Sequence, residues 1–211
     1  MGKRGEFRAD IETIEDDAED RAPWHNPAPP PSRRLIVKRG GHSITRQIPK
    51  PMVLVDTRER DPLDLSGFPN WIAGERRQKL GAGDYSVEGM EDVLALERKT
   101  LSDLITTVMQ YRPRFFRMCE RLARCKWKAL LIEASYEDIK SPYDGEYTLA
   151  HPNAVSGTLD ALEAKYGIPV IYASSYRSLA QEKAASWLSK HFTYWYLEEN
   201  GFGRVLQEGD L

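Results

Sequence analysis

Residues 83–103 read GDYSVEGMEDVLALERKTLSD, and both the fold class and the chemistry follow from this stretch. GAGDYSVE and DVLALERK have the pattern of two short strands joined by a turn around Glu88–Asp92. TLSDLITTVMQ then has helical spacing, with Thr100 or Ser102 as N-cap and Leu101, Leu104, Ile105 and Val108 on one face. Side chains alternate along a strand, so Glu97 and Lys99 project to one side and Arg98 to the other. Two carboxylates, Asp84 and Glu97, and the Lys99 ammonium are thereby offered to the same space. Nothing else in the 211 residues supplies so complete a set of catalytic groups.

Working outward, MVLVDTRER is a short apolar run ending in charge, the signature of a strand buried on both faces. Downstream come a helix over about 113–125 (Phe115, Phe116, Cys119, Leu122), a strand at KALLIEAS, and a helix at VSGTLDALEAKYG stopped by Gly167. A strand at IPVIYAS and a helix from about Tyr176 to Trp195 follow. Strands alternating with helices of ten or more residues predict an α/β domain over residues 51–198, with a central mixed sheet flanked by helices. Residues 1–31, an acidic run followed by PWHNPAPPP, are expected to be a disordered tail. Residues 32–50 read as a basic β-hairpin turning at Gly40-Gly41, with Arg34, Lys38, Arg39 and Arg46 outward. It either docks on the edge of the main sheet, the favoured reading, or reaches toward phosphate. Residues 199–211 are expected to fray.

Bulk composition constrains the class of protein. No apolar run is long enough to cross a bilayer and the first residues lack the apolar stretch of a signal peptide, so cytoplasmic residence is expected. Cys119 and Cys125 are expected as reduced, buried thiols. The net charge of −2 does not announce a nucleic-acid binder, but its distribution does more. Between 98 and 128, Arg98, Lys99, Arg112, Arg114, Arg117, Arg121, Arg124, Lys126 and Lys128 face only Asp103 and Glu120. A local basic field beside a carboxylate site suits a polyanionic substrate, against the alternative of a merely solvated helix face.

Phosphodiester cleavage needs hydroxide at neutral pH and neutralisation of the charge on phosphate oxygens, and a divalent cation held by carboxylates provides both. Mg²⁺, or Mn²⁺ in its place, suits few protein carboxylates completed by water and phosphate. Asp84 and Glu97 are candidate ligands, and Asp56, at the end of the first buried strand, is a third. Lys99 points toward the same phosphate and water, and Arg58 is a candidate phosphate clamp.

Val-Asp-Thr-Arg-Glu (55–59), Gly-Asp-Tyr (83–85), Glu-Arg-Lys (97–99) and Asp103 occur in order, and together they resemble the nuclease domain of the XPF family (ERCC4-type), which includes archaeal Hef. The resemblance extends over roughly residues 52–195. It implies a restriction-endonuclease-like (PD-(D/E)xK) fold and a metal-dependent endonuclease that cuts branched or flapped DNA at junctions of duplex and single strand, in repair or recombination. Asp84 and Glu97 resemble the family's principal metal ligands, and Asp56 a further acidic site residue. Lys99 would orient or deprotonate the water and Arg58 would contact phosphate. Glu59, Arg98 and Asp103 belong to the same motif, Asp103 as a support for Lys99 or Arg98 or simply as a helix N-terminal acid. Arg112, Arg114, Arg117 and Arg121 are the expected DNA contacts. The helix-hairpin-helix module that usually follows such a domain is not expected here. Tyr-Arg-Pro-Arg-Phe-Phe (111–116) stands where the family usually has Gly-Arg-Leu and Gln. The resemblance also admits a homodimer through the nuclease domain and a protein partner that supplies extra DNA binding.

Weaker signals have plainer readings. His25, His42, His151 and His191 lack zinc-site spacing, and His151 reads as a cap or loop residue. Trp187, Phe192, Tyr194, Trp195 and Tyr196 read as core or a contact surface before base stacking, and Phe115 and Phe116 as core. The competing functions are an exonuclease or partner-directed nuclease of the same fold, and a DNA-binding module without catalysis. Retention of Asp56, Asp84, Glu97 and Lys99 argues against the last.

Overall fold

The computed structural model describes residues 34–39, 42–143 and 149–201; the acidic tail, the Gly40-Gly41 turn and residues 202–211 lie outside them. Its first elements are β1 (Arg34–Arg39) and β2 (His42–Gln47), antiparallel with Arg39 opposite His42. The antiparallel pairing of these two strands is that of the expected hairpin. The pair forms a two-stranded sheet of its own. Among the described residues its strands are not hydrogen-bonded to the central sheet.

The central sheet contains β3 (Met52–Asp56), β4 (Gly74–Gln78), β5 (Tyr85–Val87), β6 (Leu94–Thr100), β7 (Trp127–Glu133) and β8 (Val170–Tyr172), in the order β4-β3-β5-β6-β7-β8. β5 runs antiparallel to both β3 and β6, while the β3–β4, β6–β7 and β7–β8 pairs are parallel. The helices are α1 (Leu101–Gln110), α2 (Arg112–Leu122), α3 (Tyr136–Lys140), α4 (Pro152–Tyr166) and α5 (Arg177–Glu199). Thr100 caps α1 by accepting from the Asp103 amide, as its position predicts. His151 Nδ1 caps α4 in the same way, and Gly167 ends that helix at φ +58.

The sheet separates two cores, and its alternation decides which side chain enters which. Ala95, Leu130 and Ile132 pack with α1, α2 and α4 through Leu104, Val108, Phe115, Leu122, Leu159 and Leu162. Leu94, Leu96, Ala129 and Leu131 pack on the other side with α5 through Ala180, Ala184, Leu188 and Phe192. Burying each large apolar side chain contributes about 1.5–3 kcal/mol before the entropy of ordering it. Phe115 lies in the first core, whereas Phe116, also expected there, is only half-buried. The aromatic run of α5 divides similarly: Phe192 is core, Trp187, Trp195 and Tyr196 pack against it, and Tyr194 is exposed. Both cysteines are free and buried, and burial pushes the Cys119 thiol up to about 12, as reduced, inert thiols require.

Two elements were not anticipated. β4 (GERRQ) is an edge strand whose middle three residues are exposed, so it carries no apolar alternation. α3 spans five residues held by a Ser135–Asp138 capping box. The expected second helix begins at Arg112 rather than 113 and ends at Leu122, and the last helix runs on to Glu199.

Candidate active site

The site is assembled where β3 and β6 run toward their C-terminal ends and the antiparallel β5 begins. Asp84 immediately precedes β5; its amide donates to the Leu96 carbonyl (2.9 Å) and its carbonyl accepts from the Asp56 amide (2.8 Å). It therefore ties β3 to β6 at the level of Glu97. The preceding Gly83 has φ +71, and a Cβ there would meet the Leu96 carbonyl oxygen at 2.9 Å and Ala95 Cβ at 3.1 Å. Only glycine lets the chain approach β6 this closely in that conformation.

On β6, Glu97 shares the side of Ala95, facing α1 and α2, and Lys99 lies one pleat further along. Lys99 Nζ is 3.5 Å from Glu97 Oε1, and both side chains are largely buried. Asp84 Oδ2 accepts from the Arg98 amide at 2.9 Å. Burial, with Glu97 as a like-charged neighbour, raises the Asp84 carboxyl to about 8 against the pull of that amide. Burial raises Glu97 as well, with Lys99 opposing it. Two desolvated carboxyls with one lysine beside Glu97 are short of positive charge.

Asp56 lies in a different environment. Its Oδ1 accepts from the Arg58 amide (2.7 Å) and Nε (2.8 Å), and its Oδ2 from Arg58 Nη2 (2.9 Å) and the Leu80 amide (2.7 Å). Burial opposes its ionisation, yet the Arg58 guanidinium and these amides hold it down at about 2. The three expected metal ligands thus separate into an open pair, Asp84 and Glu97, and a residue whose oxygens are already engaged. Among the described residues no group of three or more His, Cys, Asp or Glu is disposed to hold a metal. Arg58, the expected phosphate clamp, chelates Asp56 but keeps a 62% exposed side chain.

Arg98 projects to the α5 side, as the alternation requires. Its buried guanidinium pairs with Glu133, donates to the Asp61 carbonyl (2.8 Å) and lies 3.4 Å from Glu59 Oε1. Arg177, at the start of α5, closes the cluster by binding both Asp61 carboxylate oxygens (2.8 and 2.9 Å). This network fastens the 57–62 loop to β6, β7 and α5. Glu59 is thereby placed as a structural partner of Arg98, and Arg98 contributes to the site through its backbone amide. Asp103 lines the groove, but the carboxylates that pair with Lys99 and Arg98 are Glu97, Glu59, Asp61 and Glu133. Its amide, by contrast, donates to the Thr100 hydroxyl, which leaves Asp103 as an acid in the first turn of α1.

A groove of about 430 Å³ contains Asp56, Arg58, Glu59, Asp84, Glu97, Arg98, Lys99, Asp103, Arg114 and Arg121 from the expected set. Arg60, Thr107, Tyr111, Phe115 and Met118 also line it and were not assigned to the site from sequence. The Thr-Arg-Glu-Arg run after β3 was the available signal for Arg60. Arg112 and Arg117 do not line it; Arg112 binds Thr158 Oγ1 (3.0 Å) and lies over the Phe116 ring. Lys126 pairs with Glu198, and Lys128 binds the carbonyls of Ala123 and Cys125. The basic field of residues 98–128 therefore resolves into a groove-facing part and a structural part.

Among the described residues no helix is long and apolar enough to cross a membrane. No curated protein matches the chain. Solved structures that resemble it include two at 23% identity. XPF from Aeropyrum pernix in complex with DNA matches over 67% of this chain and 66% of its own, with a TM-score of 0.48. XPF from Aeropyrum pernix matches over 66% and 61%, with a TM-score of 0.49. The chain thus spans less than two thirds of the length of these structures. The ERCC4 domain pattern matches residues 47–186, which include every strand of the central sheet and every residue of the groove. The fold is the restriction-endonuclease-like mixed α/β arrangement of that domain, and this chain belongs to the ERCC4 domain family.

Proposed function

We propose that this protein is a metal-dependent endonuclease that hydrolyses DNA phosphodiester bonds, selecting junctions of duplex and single strand such as those of repair or recombination intermediates. The observation that carries the reading is the desolvated Asp84–Glu97 pair beside Lys99, set in a groove edged by Arg58, Arg60, Arg114 and Arg121. The donor set fits a hard divalent cation, since oxygen ligands from two carboxylates leave positions for water and phosphate. Asp84 and Glu97 would hold Mg²⁺ or Mn²⁺, which when bound supplies charge neutralisation at phosphate and acidifies water.

The protein's own groups do the rest. Gly83 and the Arg98 amide fix Asp84 against β6. The Glu97 carboxylate and the Lys99 ammonium face each other, so Lys99 orients the attacking water or helps deprotonate it by stabilising the hydroxide that forms. Arg114 and Arg121 draw the DNA backbone into the groove from α2, and Arg58 meets it from β3. Asp56 serves this reading as the anchor that holds Arg58.

Incubation of the full chain with flap, splayed-arm, duplex and single-stranded DNA in Mg²⁺ or Mn²⁺ is the test. Cleavage near junctions, with blunt duplex resistant, is expected. DNA bound but left intact under every condition would instead support a binding module without catalysis.

A further inference from the structure

The groove-facing side of α2 is uneven in composition. Tyr111, Arg114, Phe115, Met118 and Arg121 line the cavity, at spacings of three and four that stack on one side of a helix. Phe115 and Met118 are seated in the core and form an apolar wall between the two arginines. Tyr111 differs from both. It stands at the break between α1 and α2, the C-cap of one and the N-cap of the other, and is 53% exposed. Its amide donates to the Thr107 carbonyl (3.1 Å), and its own carbonyl accepts from the Arg114 (2.9 Å) and Phe115 (3.1 Å) amides. The backbone is therefore fixed from both sides, with Pro113 restricting the first turn of α2. Among the described residues its ring makes no hydrogen bond and no ring contact. A rigidly mounted, unpartnered aromatic lines a groove that also carries the Arg58, Arg60, Arg114 and Arg121 guanidiniums and the exposed Asp103 carboxylate.

The geometry points to Tyr111 as a stacking platform for one unpaired base of DNA held in the groove, an inference that rests on the DNA reading above. Arg114, one turn along the same helix, and Arg58 and Arg60 from the β3 side bind phosphate and carry no base preference. An unpaired base can turn its face to the Tyr111 ring, whereas a base inside a duplex is already stacked on both faces. Tyr111 thus makes the groove prefer a single-stranded segment next to Asp84 and Glu97, and determines specificity without touching the reacting atoms.

The test uses full-length chain without divalent cation, so that binding is read apart from cleavage. The probes are a splayed-arm DNA with 2-aminopurine at the first unpaired position, and a blunt duplex of equal length. Tyr111→Ala is expected to lower affinity for the splayed arm by roughly 5- to 150-fold, the range of one lost base–aromatic stack. Its duplex affinity should equal that of wild type. The 2-aminopurine signal should change on binding wild type and Tyr111→Phe, which keeps the ring, and stay unchanged with Tyr111→Ala. Equal affinity of Tyr111→Ala and wild type for the splayed arm would overturn the inference. So would an equal loss on both DNAs, since the ring would then only support the helix break. Failure of the DNA reading looks different: wild type itself would bind neither probe.

Discussion

Replacing Gly83 by alanine isolates the close approach that places Asp84. At φ +71 an L-residue costs about 1–2 kcal/mol relative to glycine. The new Cβ would also lie 2.9 Å from the Leu96 carbonyl oxygen, which is backbone of β6 and cannot swing away. β6 is held by its seven-residue register with β7, so the movement falls on residues 83–84. Moving them stretches the 2.9 Å bond from the Asp84 amide to Leu96, worth about 1 kcal/mol. The sum is a loss of about 2–3 kcal/mol, read as a lower urea midpoint at unchanged m-value. For a domain of this size that corresponds to roughly 4–12 °C in Tm. Gly81, two residues away in the same loop, is the matched control: a Cβ there meets nothing within 4 Å, and its φ needs no glycine. Gly81→Ala should stay within about 0.5 kcal/mol of wild type. A Gly83→Ala protein as stable as Gly81→Ala would refute the argument that close packing on β6 sets the position of Asp84.

Arg98→Met should cost about 3–5 kcal/mol in denaturant unfolding, because it removes the buried cation from the largely buried Glu133 and Glu59 and leaves only Arg177, 3.8 Å from Glu133, to offset them. Glu88→Ala, which opens the exposed Arg76 pair, should change stability by less than about 0.5 kcal/mol; comparable losses would mean that the Arg98 cluster is not structural. In the presence of chelator, Asp84 retains a proton up to about 8 in the folded chain, whereas the unfolded chain releases it near 3.8. Stability should therefore fall as pH rises through that window, by about 2–3 kcal/mol between roughly pH 6 and 8 at about 1.36 kcal/mol per unit. Asp84→Asn should flatten the slope; parallel curves for variant and wild type would count against the burial of this carboxyl.

Much of the fold is legible because local and global signals agree. The run Met52–Asp56, the alternation through Leu94–Thr100, the Thr100 cap and the Gly167 stop each state in a few residues what the tertiary structure later requires. β4 is hidden because an exposed edge strand needs no apolar pattern, and its pairing partner β3 lies about twenty residues away. The grouping of Asp84, Glu97 and Lys99 in one groove is likewise readable from one strand and its neighbour. What is not readable is which charges are already spent. Asp56 is neutralised by a residue two positions on and an amide 24 positions on, and Arg98 by groups at 59, 61 and 133. Those partners are set by strand order and by the path of the 57–62 loop, neither of which a linear motif encodes. The same holds for Tyr111, whose exposure depends on where α1 stops and α2 begins.

The most direct measurement is the initial rate of splayed-arm DNA cleavage as Mg²⁺ is titrated, for wild type, Glu97→Gln and Asp84→Asn, each shown to be folded. The account predicts cleavage by wild type that rises with Mg²⁺ and stops with chelator, and a loss of at least about a hundredfold in both variants at every Mg²⁺ concentration. Cleavage by either variant at the wild-type rate, or by wild type in chelator, would contradict the assignment of the Asp84–Glu97 pair as the hydrolytic centre.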